Sequence, residues 1–256
     1  MGNWWSVLAQ AFPPKPTWGI DNIPDLTGKV LIVTGAGNAG IGKETVKALL
    51  LHNAKVYIAA RSEERALASI SALKEDTGKE AIFLKLDLAD LPQVRAAAEE
   101  FLSKEKELHI LFLNAGVMAC PVDWTTAQGY DMQFGTNRET FPLYFSSKLG
   151  NMTVARELAR RYGDNIVSTS VHPGTLKTDL ARHISWLQRL MFAILVYDVP
   201  FGALTQLRAG TAPEGADWNG KFLIPWARIG KANPKAEDPA VGEKLWLLLE
   251  EYVKEY

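Results

Sequence analysis

The chain has 256 residues, 47% of them hydrophobic, and a formal net charge of −1. This suits one α/β domain of ordinary size, or two small ones, with a substantial core, and it gives no electrostatic footprint for nucleic acid. A single cysteine, Cys120, excludes a disulfide framework and fits a reducing, cytoplasmic setting.

Residues 1–23 form an arm. "MGNWWSVLAQAF" lacks the basic region of a secretory signal and stops at Pro13 and Pro14. Gly2 and Ser6 match the myristoylation pattern Met-Gly-x-x-x-Ser. Lipidation, a peripheral membrane contact and simple apolar packing are the alternatives for this arm.

A single domain is expected over residues 24–256. "KVLIVTG" (29–35), "KVYIAAR" (55–61), "AIFLKLD" (81–87) and "LHILFLNAG" (108–116) are apolar runs that predict buried strands. Between them, 43–53, 62–78 and the stretch "LPQVRAAAEEFLSKE" carry helical spacing; Ser62 and Gly78 punctuate the second. This alternation predicts a doubly wound parallel sheet with helices on both faces, a Rossmann-type fold. Further on, 125–137 and 142–162 read as helices, and "NIVSTSVHPG" (165–174) as a strand. Broken apolar helices follow over 183–210, then a short strand at 221–226 and an amphipathic tail helix from Pro239. The stretch 186–197 contains Arg189 and is too short to cross a bilayer as a helix. The four histidines (His52, His109, His172 and His183) lack ligand spacing, so no metal site is expected.

The chemistry begins at "TGAGNAGIG" (34–42). Gly35, Gly37 and Gly40 satisfy G-x-G-x-x-G between a strand and a helix, and Asn38, Ile41 and Gly42 complete the loop. Glycines let the backbone turn close to a pyrophosphate, and the helix N-terminus offers free N–H groups and partial positive charge. At the end of the second strand, an acidic residue would bind a ribose 2′-hydroxyl and repel a 2′-phosphate. This chain has Ala60, Arg61 and Ser62 there; Arg61 can pair with a phosphate and Ser62 can donate to it, so NADP is the expected cofactor.

These residues resemble those of the short-chain dehydrogenases/reductases, in particular fungal members related to the retinol dehydrogenases and the WW-domain oxidoreductase. The resemblance covers about residues 24–256, carried by the glycine loop, "LDLAD" (86–90), "LNAG" (113–116), "YFSSK" (144–148) and "VHPGTLKTDL" (171–180) in order. It implies that Asp87 meets the adenine and that Asn114, with Ala115 and Gly116, steadies the strand beside the cofactor. It places Pro173 and Gly174 along the nicotinamide and Thr178 near its amide or the phosphates. Tyr144 would be the general acid/base, Lys148 would lower its pKa and hold the nicotinamide ribose, and Asn137 would anchor a proton-relay water. Spacing agrees, because Tyr144 and Lys148 stand i, i+4 on one helix face. The region about 179–210 corresponds to the substrate lid. Its apolar residues, from Trp186 to Leu195, suggest a small lipid-like or secondary-metabolite substrate, and core or homodimer packing explains them equally well.

Two departures stand out. Four residues separate Gly35 from Gly40 where the family has three, and Gly37 is placed to absorb the extra one. The larger one lies between Asn137 and Tyr144, where only "RETFPL" stands. The family places the rest of a helix, a fifth strand and a catalytic serine there. A helix takes about 11 residues and a strand about 5–6, so six residues cannot hold them. Ser146 and Ser147 lie in the tyrosine's own helix; Ser168 and Ser170 lie on the next strand. A sheet with one strand fewer is expected, with strand 165–172 pairing directly with strand 108–114 so that no backbone groups are left unpaired. Two functions follow: an NADP-dependent oxidoreductase interconverting a carbonyl and an alcohol, or an inactive NADP-binding pseudoenzyme or scaffold.

Overall fold

The computed structural model describes residues 9–37, 39–117, 121, 123–132, 140–176 and 196–256, with only the backbone of 140–145. Asn38, Cys120, Asn137, Thr178, the matched Gly2 and Ser6, and most of the lid stretch lie outside them.

Four parallel strands form the central sheet. β1 (Val30–Thr34), β2 (Lys55–Ala60), β3 (Ile82–Lys85) and β4 (Ile110–Phe112) are ordered β3-β2-β1-β4. Ile32 lies opposite Tyr57 on one side and Leu111 on the other. Helices α1 (Ile41–Leu51), α2 (Glu63–Thr77) and α3 (Leu91–Lys104) connect them. The period of two along each strand sorts the core. Leu31, Val33, Val56 and Ile58 face Val46, Leu49, Ile70 and Leu73 of α1 and α2. Val30, Ile32, Tyr57 and Ala59 face Ala97 and Phe101 of α3. Trp18 and Ile23 of the arm also enter the first of these clusters. As expected, α2 is capped by Ser62, whose Oγ accepts from the Arg65 N–H, and ends at Gly78 in the left-handed region, φ 69°.

The second half departs from expectation. Long helix α4 (Thr140–Tyr162) is present, but the described part of 125–137 is no helix. Gly129 has φ 79° and Thr125 bridges Asp131, so this stretch folds back as a turn. The predicted strand 165–172 contracts to β5 (Ser170–Val171). It pairs with β6 (Phe222–Ile224), and β6 pairs with β7 (Arg228–Gly230) in a separate three-stranded sheet. Direct pairing of 165–172 with 108–114 does not occur. The backbone of 165–172 is engaged elsewhere: the Ile166 N–H donates to the Tyr162 carbonyl, the Ser170 N–H to Lys221 and the His172 N–H to Leu223. Helix α5 (Val199–Thr211) touches β4, β5 and β6. β4 is fixed on it by contact: a Cβ at Gly210 would come within 2.7 Å of the Phe112 ring. Ser168 turns to the other side, its N–H donating to Asn219 Oδ1 at 2.8 Å.

After a short helix α6 (Pro234–Glu237), helix α7 (Pro239–Val253) braces α4. Buried Glu157 accepts from Arg160 and Arg161, and both arginines also reach Glu243. Gly242 leaves room for this carboxylate, since a Cβ there would lie 2.4 Å from Glu157 Oε1. Arg161 covers the Trp246 ring at 4.8 Å, and Tyr130 stacks on Tyr252 at 4.4 Å. The Arg160 hydrogen bond, with help from Arg161, holds the Glu157 carboxyl below its ordinary pKa of 4.5. Its contribution to stability is therefore complete above that value and lost as pH falls through the lower folded-state pKa. We expect Glu157→Gln to lower the thermal unfolding midpoint at pH 7, and the gap to the parent chain to narrow steadily in acid below pH 4.5. A gap that stays constant down to pH 3 would refute this role for the ionised carboxylate.

Candidate functional site

Parallel strands deliver their carboxyl ends to one edge of a sheet, and ligands bind there at the point where strand order reverses. In this sheet that point lies between β1 and β4. Gly35 follows β1, Arg61 and Ser62 follow β2, Asp87 follows β3, and Asn114, Ala115 and Gly116 follow β4.

The two central loops are locked together. Asn114 Nδ2 donates to the Thr34 carbonyl at 2.9 Å, and the Ala115 N–H donates to Thr34 Oγ1 at 2.9 Å. Gly35 has φ 74°, and a Cβ on it would lie 2.8 Å from Ala115 Cα. Gly42, in the first turn of α1, is equally tight: its Cβ would meet Asn114 Nδ2 at 2.7 Å. Glycine at 35 and 42 is therefore required for the two loops to touch. Gly37 approaches Ala60, where a Cβ–Cβ contact would be 3.2 Å, so the residue placed to absorb the longer loop packs against the end of β2. Gly40 caps α1 at φ 139°, with open space where a side chain would stand. A half-buried N-terminal helix turn behind a bare glycine backbone is a cradle that fits a dinucleotide's phosphates.

At the outer edge, Arg61 is exposed and its carbonyl accepts from Lys85 Nζ at 2.7 Å. Ser62 Oγ accepts a weak 3.4 Å bond from the Arg65 N–H, which leaves its own hydroxyl hydrogen to donate. Asp87 is half-buried, and Oδ1 accepts from the Ala89 N–H at 3.0 Å, so part of its carboxylate is committed to the turn before α3.

The expected catalytic pair lies on α4. Tyr144 contributes only its backbone position to the described structure, one helical turn before Lys148. Lys148 Nζ would stand 3.7 Å from a Cβ at Gly116, so the amine reaches the loop after β4. Burial lowers its pKa from the ordinary lysine value. Ser170 pairs with Phe222 of β6, which leaves it, like Ser168, on the side of the second sheet.

The structure adds residues that the sequence did not single out. Gly174 has φ 89°, and a Cβ there would meet the Trp226 ring at 3.0 Å, so Trp226 backs the Pro173–Gly174 turn. Tyr197 and Phe201 pack on the same ring, at 5.0 and 5.3 Å. Leu176 and Ile41 both press on Gly202 at the start of α5, tying this turn to the glycine loop. His172, within the quoted "VHPG", has a buried Nδ1 with no partner among the described residues, and burial lowers its pKa, which favours the neutral ring. Trp226, at the end of the predicted strand 221–226, gave no periodic signal for this role, because its contact partner lies some fifty residues away.

Comparison with known proteins agrees with this geometry. The model of the short chain dehydrogenase family matches residues 29–138. A short-chain dehydrogenase/reductase of Armillaria gallica is 51% identical, with both chains covered completely. Human retinol dehydrogenase 12 is 34% identical over 86% of this chain and 85% of its own. Among solved structures, an uncharacterised protein of Mycobacterium paratuberculosis superposes with a TM-score of 0.71 at 21% identity, covering 93% of this chain and 97% of that one. A Shigella flexneri short chain dehydrogenase complexed with NADP gives 0.61 at 19% identity, covering 78% and 98%. The Armillaria alignment runs over 310 positions against 256 residues here, so at least 54 of them have no counterpart in this chain. The family match ends at residue 138, where the join between Asn137 and Tyr144 begins. Strand order, glycine loop, half-buried lysine and these relatives agree: the chain belongs to the short-chain dehydrogenase/reductase family of oxidoreductases.

Proposed function

We propose that the chain binds NADP(H) and interconverts a carbonyl and an alcohol on a small apolar substrate, with Tyr144 and Lys148 carrying the proton chemistry. The observation that carries this reading is the placement of Lys148 Nζ against Gly116, one turn after Tyr144 on α4. Bound NADPH supplies the hydride. Tyr144 holds the substrate oxygen and gives it a proton. Lys148, as a nearby ammonium, favours the phenolate and draws the tyrosine pKa towards working pH. Asn137 anchors the water that returns a proton. Arg61 and Ser62 hold the 2′-phosphate, with Ala60 offering no competing carboxylate. The aromatic group around Trp226 and the apolar lid stretch favour a lipid-like or secondary-metabolite substrate.

A second reading, a cofactor-binding protein with little turnover, is favoured by the 54 alignment positions this chain lacks and by the short β5. Both readings share the cofactor. Titration of tryptophan fluorescence should give tighter binding for NADPH than for NADH, and Arg61→Asp should reverse the order. Equal affinities in the parent chain would refute the assignment of Arg61.

Turnover separates the two. Losing one preorganised donor to a reacting oxygen costs roughly 10²–10³ in kcat. We therefore expect the chain to reduce a panel of apolar ketones and aldehydes at least about 10²-fold more slowly than a version with a family-like strand and serine inserted between Asn137 and Tyr144. In that restored version, Tyr144→Phe should abolish turnover while leaving NADPH binding in place. Comparable rates for the two chains would show that the added segment is dispensable.

A further inference from the structure

We infer that Ser69 is a positioning residue for the cofactor: its hydroxyl clamps the lengthened glycine loop to α2, and the loop's grip on a dinucleotide depends on that bond. The inference rests on the NADP(H) reading given above. Ser69 stands in the middle of α2 and is buried. A hydroxyl in a helix commonly bonds back to a carbonyl of its own helix, one turn earlier. Thr45, Thr77, Thr153 and Thr211 all do so, onto Ile41, Leu73, Leu149 and Leu207. Ser69 instead donates out of its helix, to the Ala36 carbonyl at 3.1 Å. Ala36 stands between Gly35 and Gly37 and is fully buried.

The neighbouring contacts show what the bond holds. The Gly35 N–H donates to the Ala59 carbonyl at 2.9 Å, which ties the start of the loop to β2. At Gly37 a Cβ would lie 3.2 Å from Ala60 Cβ and 3.5 Å from the Ala66 nitrogen. Ala66 and Ser69 stand i, i+3 on one face of α2, so the alanine leaves a notch for Gly37 while the serine ties the residue before it. This matters because four residues separate Gly35 from Gly40 where the family has three. A longer loop has more conformations to lose when its N–H groups converge on a pyrophosphate. The Ser69 bond removes part of that freedom before a ligand arrives. Without the hydroxyl, the buried Ala36 carbonyl loses this donor, and the loop shifts to find another.

The test compares the full chain with Ser69→Ala and Ser69→Thr. Alanine is the best helix former, so α2 itself tolerates the first change. Titration of tryptophan fluorescence should show NADPH and NADH each bound about tenfold more weakly by Ser69→Ala than by the parent chain. The preference between the two cofactors should stay as Arg61 sets it. Ser69→Thr keeps the hydroxyl and should restore most of the affinity. With no cofactor present, amide hydrogen exchange should be faster in Ser69→Ala at 35–37 and unchanged at β3. Unchanged affinities for both cofactors, or a loss confined to NADPH, would overturn the inference. So would exchange that speeds up equally across the whole sheet, because it would assign the serine to general stability. Equal affinities of the parent chain for NADPH and NADH would refute the role of Arg61 alone, since the alanine comparison is made within each cofactor. A parent chain that binds neither cofactor would overturn both readings.

Discussion

The joint between the carboxyl ends of β1 and β4 governs the geometry of everything around it. Two hydrogen bonds onto Thr34, one from the Asn114 side chain and one from the Ala115 N–H, draw the strand ends together. Gly35 and Gly42 permit the approach, since any Cβ would collide with Ala115 or Asn114. The glycine loop hangs from one strand and the loop beside Lys148 from the other, so this joint sets the distance between the two loops. The same rigidity reaches α5, because Ile41 at the start of α1 and Leu176 beyond the Pro173–Gly174 turn meet on Gly202.

The two ends of the cleft differ in how they treat charge. Arg61 lies in solvent, where a phosphate can be met without desolvating a cation in advance. Lys148 sits where burial disfavours its charged form. Screening by salt is correspondingly strong at the exposed arginine and weak at the lysine.

Local features were legible in the sequence. The glycine loop, the Ser62 and Gly78 boundaries of α2, and the four strands of the central sheet follow from periodicity and capping, which depend on near neighbours. That the chain is short of family material was legible too, because a residue count cannot be stretched, and the 310-position alignment agrees. Its structural consequence was not. Whether β4 and the 165–172 run would pair depends on the run's bonds to residues 221–223, and no window of sequence contains those contacts. The turn at 125–131 shows the same limit: 125–137 read as a helix, while Tyr130 is engaged by Tyr252 at the far end of the chain. Trp226 behind Gly174 escaped notice for the same reason.

The divided sheet also changes how the molecule holds together as a thermodynamic unit. In a continuous sheet, a hydrogen-bonded ladder links every strand, and the loss of one strand weakens the rest. Here the ladder is interrupted between β4 and β5. The second sheet is joined to the first by side-chain packing on α5, while α4 and α7 are clasped to each other through Glu157, Arg161 and Trp246. Side-chain contacts are shorter-ranged in their consequences than a shared ladder, and regions linked in this way open as separate cooperative units. The dinucleotide half, with its fully buried β1, is the more persistent of the two. The half built on β5, β6 and β7, with its two-residue β5, is the one expected to exchange its backbone amides sooner.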